Sequence, residues 1–147
     1  PVLFADQPTW EVNKIVKDLI QKIKPNEVFI PFPYDLHSDH KKLTYAVNVA
    51  LRPYLEESSF LRKIIAYETL SETDLEYFAP RFHPNIFVDI SDTISTKIKA
   101  MQCFETQIQK KFKPRSLEAI KALASFRGST IKCQAAESFM LIGEYIR

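Results

Sequence analysis

A chain of 147 residues, 46% hydrophobic and 26% charged, has the composition of a folded domain with a core, which excludes disordered and fibrous proteins. The formal net charge is only +2 and no basic run is interleaved with aromatic residues, which argues against nucleic-acid binding. No apolar stretch approaches the length that a transmembrane helix needs, so we expect no membrane span.

Glycine and cysteine usage narrows the function classes further. The chain has only two glycines, Gly128 and Gly143, which leaves no Gly-rich loop that could cradle a phosphate. Cys103 and Cys133 do not belong to a CxxC pair, so we expect two free thiols and no thiolate zinc site. Because free thiols are typical of a reducing compartment, we predict a cytoplasmic location.

The first half of the chain predicts two helices and two strands. Residues 9–24 repeat apolar side chains at helical spacing, and Pro25 ends that helix. The side chains expected on its inner face are Val12, Ile15, Val16, Leu19, Ile20 and Ile23. A short buried strand at 28–30 follows, then a helix that starts near His37 or Ser38 and is ended or kinked by Pro53, and then a strand at 63–67.

The second half predicts one strand, two helices and a final extended segment. A polar loop over 71–85 leads to a strand at 87–90. A long helix is expected over 91–110 with Ser91 as its N-cap, and another over 116–126 with Gly128 as its C-terminal stop. The inner stripe of the long helix is expected to be Ile94, Ile98, Met101, Phe104 and Ile108. Residues 135–146 fit a strand or a helix, and we favour a strand.

This alternation of helices and strands predicts a layered α/β fold in which most strands are parallel. Only three or four strands are visible, which is few for a complete domain of this type. Open α/β sheets build their sites beyond the carboxyl ends of the strands. The stretch His37-Ser38-Asp39-His40 lies at such a place, where the strand at 28–30 gives way to a helix.

The spacing of His37 and His40 allows two interpretations. Histidines at i and i+3 in a first helical turn can face one object, such as a metal ion. A helix N-terminus disfavours the charged imidazolium, and Asp35 and Asp39 can orient histidine N–H groups, as carboxylates do around metal sites. The alternative is a helix-capping His37 and a solvated His40. The third histidine, His83, is expected to be a surface residue of the polar loop.

Several segments share their order with a known family. FIPFPYDLHSDH at 29–40 is similar to an apolar strand followed by Pro, Asp and His-Pro-Asp-His. Tyr-Glu at 67–68, NIFVDISD at 85–92 with KIKA at 97–100, and Arg-Gly at 127–128 with AESF at 136–139 follow in the matching order. In these segments the chain resembles the LmbE-like / PIG-L family of zinc-dependent N-deacetylases. The resemblance implies an α/β/α Rossmann-like sheet and removal of acetyl from an N-acetylglucosamine-type sugar or glycoconjugate.

The resemblance also implies roles for individual residues. His40 would be a zinc ligand, and His37 would stabilise the oxyanion or protonate the leaving amine, with Asp39 supporting it. Glu68 and Glu137 would line a sugar pocket, although exposed glutamates are common. Arg127 would hold an anionic group of the substrate, or it is simply a cation at a helix C-terminus.

Two departures from the family pattern bear on activity. Ser38 stands where the family has proline, and the family's His-Pro-Asp-Asp segment, which supplies the other ligands and the catalytic aspartate, is absent from these residues. We therefore expect residues 1–147 to be one α/β domain, the C-terminal portion of a larger deacetylase domain, inactive alone. We expect it to form a homo-oligomer or to need a companion N-terminal segment. The alternative is a non-catalytic α/β remnant or assembly subunit without metal.

Overall fold

The computed structural model describes residues 4–146, which form two compact units. The first unit comprises residues 4–83 and 140–146, and the second comprises Pro84–Phe139. That residues 1–147 act as one domain stays a prediction. None of the helices within 4–146 is long and apolar enough to cross a membrane.

The first unit packs two helices against a pair of parallel strands. Its elements are α1 (Thr9–Ile23), β1 (Glu27–Pro31), α2 (Ser38–Ala50) and β2 (Lys63–Tyr67), with 3-10 turns at Phe4–Asp6 and Glu56–Ser58. β1 and β2 are parallel, with Ile30 opposite Ala66. The core of this unit consists of Val12, Val16, Ile20, Ile30, Phe32, Ala46, Val47, Ala50, Leu51, Leu61, Ile64, Ala66 and Phe82.

Helix α1 buries only part of its apolar surface. Its buried row is Val12, Val16 and Ile20, spaced four residues apart. The neighbouring row, Ile15, Leu19 and Ile23, was predicted to share that inner face, but each of these side chains is more than half exposed. The prediction was wrong here because apolar spacing marks a stripe about 100° wide and cannot show how much of it a neighbouring element covers.

The second unit contains β3 (Ile86–Asp89), α3 (Ile94–Gln102), α4 (Leu117–Thr130) and the start of β4 (Ala136–Glu144), which ends in the first unit. β3 and β4 are antiparallel, with Val88 opposite Glu137. The four strands are hydrogen-bonded in the order β1-β2-β4-β3. The predicted α/β class is confirmed, and the sheet contains a parallel pair, β1–β2, and an antiparallel pair, β3–β4. The expected final strand is present as β4.

Three predicted helix limits in the second unit were wrong, the two ends of α3 and the end of α4. Helix α3 is nine residues long and begins after Thr93, because the Ser91 hydroxyl bonds to Asp89 Oδ1 at 2.6 Å instead of capping the helix. Bonds from Cys103 N–H to Ala100 O and from Phe104 N–H to Met101 O tighten and end it. Gly128 is not a helix stop but lies inside α4.

The bonds from Ser91 predict an acid-sensitive contact. Its hydroxyl and N–H both donate to Asp89 Oδ1 and lower the pKa of Asp89, so Ser91→Ala should raise that pKa toward its usual range. A lowered pKa contributes stability above the usual value that is lost as the pH falls through the lowered value, and Ser91→Ala should weaken this contribution. A carboxyl-carbon NMR titration measures the change. Ser95→Ala on α3 is the control, and an unchanged Asp89 titration in Ser91→Ala would contradict the assignment.

Candidate active site

The site residues lie in the connection from β1 to α2. Phe32 N–H donates to Tyr67 O at 3.0 Å, which continues the parallel pairing one residue beyond Pro31. Asp35 N–H then donates to Phe32 O at 3.0 Å and closes a tight turn. Because α2 starts at Ser38, this turn places Asp35 just ahead of the helix that carries His40.

His40 is held by a buried carboxylate. Its Nδ1 lies 2.8 Å from Asp35 Oδ2, and Asp35 is 0% exposed. Burial raises the pKa of Asp35 above its usual value, while the hydrogen bonds from Thr73 and His40 oppose that shift. When Asp35 is ionised it can only accept, so His40 Nδ1 donates to it and, in that tautomer, the ring lone pair is on Nε2. That is the nitrogen a metal ion would take, and a carboxylate behind it is the usual arrangement of metal-bound histidine.

His37 is fixed with the opposite tautomer. It is the N-cap of α2, and its Nδ1 accepts from Asp39 N–H at 3.2 Å. Since that nitrogen accepts, the proton of the neutral ring is on Nε2. The alternative interpretation of the sequence, a capping His37, therefore describes a real contact, but capping also aims an N–H away from the helix.

The two rings stack with centroids 5.0 Å apart and planes inclined by 28°. The pair thus offers an Nε2 lone pair on His40 beside an Nε2–H donor on His37. One ring can ligate while its neighbour donates a hydrogen bond or a proton, which is the division of labour that the resemblance implies.

Asp39 touches His37 through its backbone and not through its carboxylate. Oδ1 of Asp39 accepts from Ala5 N–H at 2.6 Å, which ties the start of α2 to the 3-10 turn at Phe4–Asp6. The contact between these two residues is made by the N–H of Asp39, and the supporting role of Asp39 stays a prediction.

Tyr67 and Thr73 complete the surroundings of Asp35. Burial, followed by the nearby carboxylate of Asp35, raises the pKa of Tyr67, so its phenol remains protonated. Thr73 Oγ1 donates to Asp35 Oδ1 at 2.5 Å. Sequence reasoning identified Asp35 as a histidine-orienting residue but missed Thr73. No local signal indicates it, because it lies in the polar loop 38 residues further on.

Among the described residues, one side chain, His40, is oriented as a ligand for a catalytic zinc ion. Such a site takes three protein ligands and leaves one position for water. His40 is oriented for ligation, but residues 4–146 contain no group of three His, Cys, Asp or Glu side chains able to hold a metal. His83 is exposed in its loop, as expected.

The remaining predicted residues are spread over both units. Glu68 follows β2 in the first unit, whereas Arg127 on α4 and Glu137 on β4 belong to the second. Arg127 lies over the ring of Phe126 at 5.4 Å, and Glu137 accepts from Lys97 Nζ at 2.5 Å. A cavity of about 540 Å³ in the second unit, between α3 and α4, is lined by none of the predicted site residues.

No protein-family model matches the chain. A diacetylchitobiose deacetylase from Thermococcus kodakarensis is 30% identical over 106 residues, which cover 67% of this chain and 38% of that protein. The N,N'-diacetylchitobiose deacetylase structure from Pyrococcus horikoshii has a TM-score of 0.69 at 22% identity, covering 94% of this chain and 54% of that one.

The fold also occurs in an enzyme with another reaction. The 4-carboxy-2-hydroxymuconate hydratase from Pseudomonas putida KT2440 has a TM-score of 0.66 at 16% identity, covering 96% of this chain and 62% of that one. This chain therefore spans less than two thirds of the length of each of these proteins. The solved structures show the fold that this chain shares, and the sequence relative shows that the chain belongs to the LmbE-like / PIG-L family of N-deacetylases.

Proposed function

We propose that this chain is part of a zinc-dependent hydrolase that removes acetyl from an N-acetylglucosamine-type sugar or glycoconjugate. The observation that carries the proposal is the stacked pair His37 and His40, in which His37 Nδ1 faces a backbone N–H and His40 Nδ1 faces a buried carboxyl group. The diacetylchitobiose deacetylase that is 30% identical supports the substrate class.

Each histidine would perform one task. His40 Nε2 would be one of the ligands of zinc, held in position by Asp35. A bound zinc ion would lower the pKa of water and polarise the acetamide carbonyl. His37 Nε2–H would donate to the developing negative charge on the carbonyl oxygen or protonate the departing amine. The N–H of Asp39 would keep that ring in the donor tautomer.

The other ligands and the carboxylate base are proposed to come from outside the described residues. Within 4–146 no three-ligand group exists, and the chain spans 38% of its deacetylase relative. A companion segment, in the same protein or on another chain, would complete the metal site. Glu68, Arg127 and Glu137 are proposed to contribute to substrate binding. Both cysteines are free, which supports a cytoplasmic location.

The test is acetate release from N,N'-diacetylchitobiose by the enzyme that contains this chain. We expect activity that is lost on chelation and restored by zinc. No acetate release from any N-acetylglucosamine derivative, or release that a chelator does not affect, would contradict the proposal.

A second candidate is a non-catalytic α/β remnant or assembly subunit. It is favoured by the lack of a three-ligand group in the described part of the chain, and by the occurrence of the fold in a hydratase. The same assay separates the two, since a remnant would release no acetate and would retain no zinc.

The surface of the first unit has features that favour association with another chain. The exposed row Ile15, Leu19 and Ile23 lies on α1, and β1 is an edge strand of the described sheet. Exposed apolar rows and strand edges favour pairing with another chain. We therefore predict that the 147-residue chain self-associates unless a companion segment covers this surface.

The double substitution Ile15→Gln/Leu19→Gln should weaken that association at least about tenfold, because each buried aliphatic side chain contributes about 1.5–3 kcal/mol. Sedimentation velocity over a concentration series measures it. Lys22→Gln on the same helix is the control and should have little effect. A wild-type chain that sediments as a compact monomer at high concentration would contradict the prediction.

A further inference from the structure

The carboxylate that orients His40 is itself fixed from a distant turn. Asp35 is fully buried, and its two oxygens have different partners. Oδ2 accepts from His40 Nδ1 at 2.8 Å, and Oδ1 accepts from Thr73 Oγ1 at 2.5 Å. Each oxygen therefore holds one specific donor, and the plane of the carboxylate is set by both.

Thr73 is in turn held by hydrogen bonds within its own turn, which leave its hydroxyl proton directed to Asp35. Thr69 N–H donates to Thr73 Oγ1 at 2.7 Å, and Thr73 N–H donates to Thr69 O at 2.8 Å. Because Oγ1 already accepts from a backbone N–H, its proton is available to Asp35. The turn follows β2 directly, and Leu36 N–H donates to Glu72 O at 3.0 Å, which joins the turn to the connection between β1 and α2.

We propose that Thr73 is a positioning residue of the histidine site. A relay runs from Thr69 N–H through Thr73 Oγ1 and Asp35 to His40 Nδ1. It fixes the rotation of the buried carboxylate and keeps the lone pair of His40 on Nε2. This proposal rests on the proposed function, because the position of the Nε2 lone pair matters only if His40 binds a metal ion.

The energetic reason is the burial of Asp35. Loss of the Thr73 hydroxyl would remove the donor to Oδ1 of a side chain that is 0% exposed, which is costly for a buried polar group. The carboxylate would then turn toward other donors, and its contact with His40 Nδ1 would weaken. His40 would populate the other tautomer, whose Nε2–H cannot ligate.

Thr73→Val tests this, because valine keeps the branched shape and removes only the hydroxyl. The readout is the tautomer of His40 in the chain without metal, from long-range ¹H–¹⁵N spectra of the imidazole ring. We expect wild type and Thr73→Ser to show predominantly the Nδ1–H form, and Thr73→Val to shift toward the Nε2–H form. In the metal-loaded enzyme, Thr73→Val should bind zinc about 10–100-fold more weakly, as is usual when a ligand's supporting partner is lost.

Thr69→Val is the matched control, since Thr69 enters the relay through its backbone alone. If Thr73→Val does not fold, Thr73→Ala provides the same comparison with Thr73→Ser. A wild-type tautomer in the folded hydroxyl-free variant would overturn the proposal even if the enzyme deacetylates. A shifted tautomer in a protein that releases no acetate would leave the positioning role intact and refute the proposed function.

Discussion

His40→Ala is expected to remove zinc binding and deacetylation together from the enzyme that contains this chain. His40 is the described side chain whose free ring nitrogen is oriented for a metal by a buried carboxylate. Loss of a supporting partner alone typically reduces metal affinity 10–100-fold, so loss of the ligand itself should reduce it by more than about 100-fold. Zinc content after dialysis and acetate release should fall to background in the same preparation.

His37→Ala should behave differently, because His37 is proposed to act on the transition state and not on the metal. Zinc should be retained while kcat falls about 100- to 1000-fold, the usual effect of removing one donor to a developing oxyanion. Alanine also removes the N-cap of α2, which costs about 0.5–2 kcal/mol. His37→Asn resolves this, since asparagine is a good cap but has no imidazole. It should restore stability without restoring turnover.

His83→Ala is the control for both substitutions, because this exposed histidine lies in the loop before β3. The His83→Ala variant should retain both zinc binding and the wild-type kcat. If His37→Ala and His40→Ala both retain zinc and hydrolyse the substrate at nearly the parental rate, the roles assigned to the pair are wrong.

Local patterns predicted the elements of the first unit well. The strand at 63–67 was placed at the limits that the structure gives, and α1 ends one residue earlier than predicted. Both have clear boundaries in the sequence, since Pro25 follows α1 and the apolar run of β2 is short. The capping role of His37 was also predictable, because it depends on residues within one helical turn, whereas the metal interpretation stays a prediction.

The errors have two causes, a competing local bond and a contact between residues that are distant in the sequence. The hydroxyl of Ser91 could have capped a helix, but it bonds to Asp89 and α3 starts later. Thr73 reaches the site only because its turn follows a strand that is paired with β1. The Thr73 contact has no periodicity or motif, and the sequence alone does not decide whether Ser91 caps a helix or bonds to Asp89 two residues earlier.

Fold and site also differ in what they say about function. Both a deacetylase and a hydratase share this fold, at 22% and 16% identity. The architecture therefore leaves the reaction open, and the histidine pair and the sequence relative are what favour deacetylation. The hydrogen bonds from His40 and Thr73 to Asp35 can be tested without a substrate, because they set the tautomer of His40.

Gly128→Ala is expected to destabilise the chain by about 1–3 kcal/mol, even though alanine favours helices by about 1 kcal/mol over glycine. A Cβ on Gly128 would lie 2.6 Å from Cys133 O and 2.9 Å from Ala135 N. Both are backbone atoms, and this backbone is held by bonds from Cys133 N–H to Gly128 O and from Ile90 N–H to Ala135 O. The segment cannot retreat from the helix without losing those bonds.

Gly143→Ala is the matched control, because the three atoms nearest its Cβ all belong to the side chain of Tyr145, with the hydroxyl oxygen at 3.0 Å. That side chain can shift, so the change in the free energy of unfolding should be about 0.5 kcal/mol or less. Thermal unfolding of both variants measures the contrast, with about 2–4 °C for each kcal/mol in a chain of this size. Equal melting temperatures for Gly128→Ala and wild type would mean that residues 133–135 move away freely, and that the close approach does not require glycine.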